Sequence, residues 1–343
     1  MIMSIYFIIC SVFLTLLVRR SEEKDLDAAL LNYMQSTFAD STKQTYRSHR
    51  KKYLDFCSSM GYSPVPVSTM TLCRYAVFLA KTLKFNSVKQ YLNIVRILHI
   101  EWSLPNPLQE NFQFSSLMKG IRRSLGDTPC RKFPITPQIL LQMLPFLDFS
   151  SPLDSCVWAA ALLMFFGMFR RANVLTTATS FDHAKHLRRS DIRFYSWGLS
   201  VHIRWTKTIQ YKQRDLSIPV PRKPGHPLCP VQALFHALSL TKEASATGPL
   251  FVIPGSKRFT PLTPDKFVHY IRQLLSKLGL DAAGYAGHSF RRGGASWAFS
   301  CGVPIDLIRT IGDWQSNAYM AYLKPAPNLV LKSLDHMLSM SKS

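Results

Sequence analysis

The stretch Gly287–Gly302, GHSFRRGGASWAFSCG, decides how this chain is read. It sets His288 and Arg291 three residues apart, adds Arg292 and the pair Gly293–Gly294, and then turns apolar. In a helix, residues three apart share a face, so His288 and Arg291 would point together while Arg292 turns away. Two adjacent glycines remove two side chains and let another backbone approach closely. The stretch is not a nucleotide-binding loop, because G-x-x-x-x-G-K-[ST] is absent. Phosphate-seeking side chains at the head of an otherwise buried helix call either for an anion or for a helix end in solvent. The rest of the chain decides between them.

The sequence has 343 residues, of which 47% are apolar. That is globular and long enough for roughly two domains. Lys and Arg number 42 against 20 Asp and Glu, a formal net charge of +22. Self-repulsion of that size works against compaction, so the imbalance points to a polyanionic partner. Double-stranded DNA comes first and an anionic membrane surface second. The seven Cys are scattered without a C-x-x-C pair, which suits a reducing compartment better than disulfides or a zinc site. His183 and His186 have no Cys or carboxylate at ligand spacing, so no metal and no cofactor is expected. Met1–Val18 is uncharged and is followed by Arg19 and Arg20. It approaches the roughly 20 apolar residues of a membrane span. It is read either as an anchor or as a segment foreign to the folded core, and membrane anchoring is not favoured.

From residue 21 to 125 the spacing predicts helices only. DLDAALLNYMQSTF, DSTKQTYRSHRKKYLDFCSSMGY, STMTLCRYAVFLAKTL, NSVKQYLNIVRILHIEW and QFSSLMKGIRRSL repeat apolar residues at three- and four-residue steps. Arg47, Arg50, Lys51 and Lys52 alternate with Tyr46 and Tyr53. Such a run is often only a solvated face; with the net charge it is read as a DNA-facing surface. GDTPCRKFPITP, rich in Pro, reads as a linker over 126–136. Beyond it, DSCVWAAALLMFFGMF is a helix apolar on every side and therefore buried. DIRFY, GLSVHIRWTKT and RDLSIPVP alternate as a small antiparallel sheet should. TPDKFVHYIRQLLSKLGL is a helix with Thr263 as cap and Pro264 in its first turn.

Further charged residues stand where apolar elements end. Arg170 and Arg171 close the buried helix, and a guanidinium there offers a rigid fork to a phosphate. Lys207 stands at or near a strand end. Trp314 precedes Tyr319 and Tyr322, themselves three apart. Taken singly, each has a plainer reading: a helix emerging into solvent, a surface hairpin lysine, a packing aromatic.

Taken in order, Arg170, Lys207, His288-x-x-Arg291, Trp314 and Tyr322 resemble the tyrosine recombinases, or phage-integrase family. GHSFRRGGASWAFSCGVP followed by GDWQSNAYMAYL is most similar to recombinases of eukaryotic mobile elements of the Crypton and DIRS type. The resemblance spans about Ser21 to Leu323. It implies a mainly α fold with a small antiparallel β-sheet: a helical SAM-like core-binding domain over 21–125 and an α+β catalytic domain over 137–335, with a tail at 336–343. It implies metal-independent breaking and rejoining of DNA through a 3′-phosphotyrosyl intermediate. Arg170 and Arg291 would clamp the phosphate, Tyr322 attack it, Lys207 protonate the leaving 5′-oxygen and His288 assist at the phenol, with Trp314 packed toward the phosphate. Arg171 and Arg292 would touch flanking phosphates or nothing. It further implies tetrameric assembly on DNA and, in a eukaryote, the nucleus. Three departures stand out. Asn173 replaces a residue often acidic, Trp314 occupies a position that is often His, and the Trp314–Tyr322 interval is one residue shorter than the common one. The competing readings are a catalytically inactive, transposon-derived DNA-binding protein and a type IB topoisomerase, and the weakest is a membrane-surface protein.

Because phosphate contacts release counterions, duplex binding should weaken steeply with salt, and a Ser21–Leu125 fragment should bind duplex DNA unaided. Titration of labelled duplex between about 50 and 200 mM salt measures both. A flat salt response, or a fragment without affinity at the low end, would contradict the reading of the basic helices.

Overall fold

The computed structural model describes residues 23–34, 36–127, 132–176, 181–206, 208–209, 214–256, 258–323 and 327–340. Two compact units divide the chain, Met1–Cys130 and Arg131–Ser343. The fold is mostly helical with small antiparallel sheets.

In the first unit a helix at 23–34 precedes α1 (Asp40–Met60), α2 (Thr69–Ala80), α3 (Phe85–Glu101) and α4 (Phe112–Leu125). Their apolar stripes bring Tyr53, Phe56, Leu72, Tyr75, Leu79, Val88, Leu92 and Ile121 into one core. α1 stops at Gly61, whose φ of +67° lets its N–H return to the carbonyls of Cys57 and Ser58. Only some of these helix starts carry a side-chain cap. Ser68 does cap α2, accepting from the Thr71 N–H at 3.1 Å. However, α1 begins after Ala39 and α3 after Lys84, neither with a side-chain cap. α3 starts ahead of Asn86 because Phe85 is itself a core residue.

The second unit is built around α6 (Pro152–Phe166), which follows the short α5 (Pro137–Met143). Every residue of α6 from Asp154 to Phe165 is buried. The sheet β1 (Ile192–Tyr195), β2 (Gly198–Ile203), β3 (Leu216–Pro221) is antiparallel in chain order, with Ile192 opposite Val201 and Val201 opposite Ile218. β3 buries Leu216, Ile218 and Val220 and exposes Ser217, Pro219 and Pro221, the period-two pattern of a one-sided sheet. The sequence pattern carried the second strand to Thr208; it stops at Ile203. Arg204 leaves the ladder to pair with Asp191 and to donate to the carbonyls of His183 and His186.

After α7 (Arg171–Val174) and the sheet come α8 (Pro230–Leu240), the pair β4 (Val252–Ile253) and β5 (Thr260–Pro261), α9 (Pro264–Lys277), α10 (His288–Ser300), α11 (Ile305–Ile311) and α12 (Pro327–Met340). α8 and α10 pack on α6. Residues 132–136, expected in the linker, are built into this unit. Phe133 and Ile135 donate their N–H groups to the carbonyls of Gly284 and Ser289, at 2.8 and 3.0 Å, and Ile135 is fully buried. α12 runs through the boundary expected at 335. Met1–Val18 lies outside the described residues, among which no helix is long and apolar enough to cross a membrane.

Gly293 and Gly294 allow this packing. A Cβ on Gly293 would stand 1.9 Å from the Ile135 carbonyl oxygen, and one on Gly294 1.9 Å from that of Phe165. α10 therefore lies backbone to backbone between two segments, with no flexible side chain to yield. Gly293→Ala and Gly294→Ala should each destabilise by about 2–4 kcal/mol through forced backbone displacement. Gly120→Ala, where a Cβ meets nothing within 4 Å inside α4, should be neutral or gain up to about 1 kcal/mol. Denaturant melts of the three variants check the contrast.

Candidate active site

The site gathers where α6 ends and α10 begins. Past Phe166, the residues Gly167, Met168 and Phe169 lead to Arg170, the N-cap of α7. Asn173 closes this turn, its Oδ1 accepting from the Arg170 N–H at 3.1 Å. Met168 holds a left-handed φ of +49°, costly for a side chain of its size, and its carbonyl accepts a hydrogen bond from Arg291 Nη1.

Arg291 is only 2% exposed. Its guanidinium carbon lies 3.8 Å from the centroid of the Trp314 ring, a cation–π contact. Burial, and then the charge of Arg170, push Arg291 down to about 9, so it stays protonated at neutral pH. Its Nε and Nη2 are buried without a hydrogen-bond partner, and so is Nη1 of Arg170. A buried cation with unspent donors costs several kcal/mol, about what breaking a buried ion pair costs. An arriving anion would remove that penalty.

His288 is the first residue of α10, and its Nε2 lies 2.6 Å from the Tyr322 hydroxyl. Loss of solvent around the ring, then the charges of Arg291, Arg170 and Arg292, lower the His288 pKa below 6.5. The ring is therefore neutral at pH 7 and has a nitrogen lone pair to offer. Tyr322 follows a 3₁₀ turn at Asn317–Ala321, and its carbonyl accepts from Ser296 Oγ of α10 at 2.8 Å. Of the two candidate tyrosines, Tyr322 meets the histidine. Tyr319 is 3% exposed and packs on Trp314 with ring centroids 5.8 Å apart.

The sequence reading missed Asp313. Its carboxylate is buried, accepts from Thr206 Oγ1 at 3.0 Å, and is bonded by Thr208 Oγ1 and Arg214 Nη2. Arg170 Nη1 lies 3.7 Å from Asp313 Oδ2. Burial alone would raise this carboxyl; the hydrogen bonds from Thr208, Arg214 and Thr206 outweigh it and hold it below its ordinary value. A signal was present: with the Trp314–Tyr322 interval one residue short, the common interval counted back from Tyr322 falls on Asp313. Arg214 carried no comparable signal.

The other predicted residues are placed as follows. Lys207 lies outside the described residues. Arg171 is exposed, its aliphatic stem over Gly287. Arg292 donates to the Lys132 carbonyl, and its guanidinium stands 6.0 Å from the Tyr322 ring. In the first unit Arg47 is exposed, Arg50 pairs with Glu101, and Lys51 pairs with Asp55 at 2.8 Å. The Lys52 ammonium sits 5.3 Å from the Tyr91 ring. Such exposed pairs contribute little to stability and leave the charges open to exchange.

No protein-family model matches the chain. An integrase/recombinase XerD homolog of Selenomonas ruminantium is 26% identical over 271 residues, 77% of this chain and 75% of that protein. A Tn1549 transposon integrase, solved in complex with transposon right end DNA, matches with TM-score 0.56 and 15% identity over 91% of this chain and 98% of that one. The XerH site-specific recombinase bound to difH substrate gives 0.56 and 12% over 85% and 78%. A lambda integrase dimer bound to a COC' core site gives 0.52 and 14% over 87% and 94%. The fold is that of the tyrosine recombinases. The chain is homologous to a XerD-type integrase/recombinase.

A histidine whose folded pKa is depressed binds fewer protons folded than unfolded. His288 thus adds stability above pH 6.5 that is lost as pH falls toward its folded pKa. Its imidazole resonances should titrate with a midpoint below 6.5, and His288→Gln should shrink the loss of Tm between pH 7.5 and 5.5. A midpoint at or above 6.5 would contradict the described surroundings.

Proposed function

We propose that this chain is a site-specific DNA recombinase that breaks and rejoins duplex DNA through a 3′-phosphotyrosyl intermediate. The observation that carries the reading is the 2.6 Å contact between His288 Nε2 and the Tyr322 hydroxyl beside two guanidiniums with unspent buried donors. Attack on a DNA phosphodiester requires charge neutralisation on the non-bridging oxygens, a nucleophile in line and an acid for the leaving 5′-oxygen. Arg170 and Arg291 supply the first as preorganised donors. The Tyr322 oxygen attacks phosphorus while its proton passes to His288. The bond from phosphorus to the 5′-oxygen breaks, and Lys207 gives that oxygen its proton. The phosphotyrosyl ester keeps the bond energy, and a 5′-hydroxyl later reverses the steps on the joined strand. Trp314 packs beneath Arg291 and keeps its plane fixed.

Duplex DNA as partner is supported by the net charge and by similarity to proteins solved on DNA. The likeness to Crypton- and DIRS-type recombinases favours a mobile-element origin and a nuclear location, and self-association as a tetramer on DNA is carried over from the likeness to tyrosine recombinases. Arg47, Arg50, Lys51 and Lys52 would hold flanking phosphates.

The test uses nicked suicide duplexes with a randomised core, from which protein-linked DNA is recovered and the attached peptide mapped by mass spectrometry. Attachment should fall on Tyr322, vanish in Tyr322→Phe and persist in Tyr319→Phe. Arg291→Ala should lower adduct formation by at least about 100-fold, the scale for losing a transition-state donor, with DNA binding nearly unchanged. Arg292→Ala should do far less. Attachment at Tyr319 would overturn the assignment, and absence of any adduct would leave a DNA-binding protein without cleavage.

A further inference from the structure

The buried carboxylate of Asp313 has no part in the chemistry above, yet it faces Arg170 and bonds Thr206, Thr208 and Arg214. It sits in the segment between α11 and Tyr322, in a left-handed conformation with φ +52°. Aspartate tolerates that conformation better than most residues do. Its two oxygens are used differently. Oδ1 takes a charge-assisted hydrogen bond from Arg214 Nη2 and a longer one, at 3.4 Å, from Gln315 Nε2. Oδ2 takes the hydroxyls of Thr206 and Thr208 and faces Arg170 Nη1 at 3.7 Å. That distance lies within the range of charge attraction and beyond a hydrogen bond. Arg170 is therefore drawn toward a fixed anion while Nη1 keeps its donors, as its unpartnered state shows.

We propose that Asp313 is a positioning residue that aims Arg170 at the scissile phosphate and holds Arg214 and the chain at Thr206 and Thr208 against the same anchor. This rests on the recombinase reading for the phosphate and on geometry alone for the anchor. Asn173 reaches only the backbone N–H of Arg170, so no other carboxylate among the described residues pairs with the Arg170 side chain. Asp313→Asn keeps shape and most hydrogen-bonding capacity but removes the charge. It should leave the fold and duplex affinity in place and slow adduct formation by about 10- to 100-fold, the usual scale for an outer partner of a charged ligand.

Two readouts separate positioning from structural support. The first is a double-mutant cycle on the randomised suicide duplex. If Asp313 acts through Arg170, then Asp313→Asn added to Arg170→Ala costs almost nothing further, whereas independent roles multiply. The second needs no cleavage: hydrogen exchange at the side-chain Nε–H of Arg170 and Arg214, followed by ¹⁵N NMR on the full chain. Exchange at both should quicken at least tenfold in Asp313→Asn and return toward wild type in Asp313→Glu. Multiplicative loss in the cycle, or unchanged exchange, overturns the proposal. If the wild-type chain forms no adduct, the recombinase reading fails and the exchange measurement alone decides for or against the anchor.

Discussion

A guanidinium almost cut off from water governs the architecture of the second unit. Arg291 can be buried only because three things are brought to it: the Met168 carbonyl, the face of Trp314 and the two neighbouring glycines. The glycines let α10 approach Ile135 and the end of α6 so closely that Met168, just past that end, meets Arg291. The strained φ at Met168 is part of the same arrangement, since it aims the carbonyl. None of these contacts uses all the donors of Arg291. What remains is a buried cation with unpaired donors, a state that an anion beside it would relieve.

Electrostatics then divide the labour among the neighbours. Loss of solvent around the ring, and then the charges of Arg291 and Arg170, depress the proton affinity of His288 and keep it neutral beside the Tyr322 hydroxyl. The same charges would repel one another without a counter-anion, and Asp313 supplies it on the side of Arg170 and Arg214. Loss of solvent lowers both groups, but a guanidinium starts so much higher that Arg291, at about 9, stays charged while His288 is neutral.

Much of this was legible in the sequence because it rests on local patterns. The all-apolar α6, the capped α9, the alternating β3 and the H-x-x-R at the head of α10 are each written in a few consecutive residues. The double glycine told of a close approach but not of what approaches; Ile135 lies far back in the chain, in a stretch whose prolines made it look like a linker. Asp313 was overlooked because its partners Arg170, Thr206, Thr208 and Arg214 come from two other parts of the chain. Tyr319 and Tyr322 share a helical period, and only tertiary packing separates the one under Trp314 from the one beside His288.

The central claim is that Arg170 and Arg291 bind a phosphate within reach of Tyr322. A crystal soaked in tungstate, a tetrahedral oxyanion with a strong anomalous signal, tests this without knowledge of any DNA sequence. The account predicts an anomalous peak with tungstate oxygens at hydrogen-bond distance from Arg291 Nε or Nη2 and from Arg170 Nη1, and the Tyr322 hydroxyl facing the metal centre. Tungstate bound elsewhere, with none at Arg170 and Arg291 at saturating concentration, would contradict it.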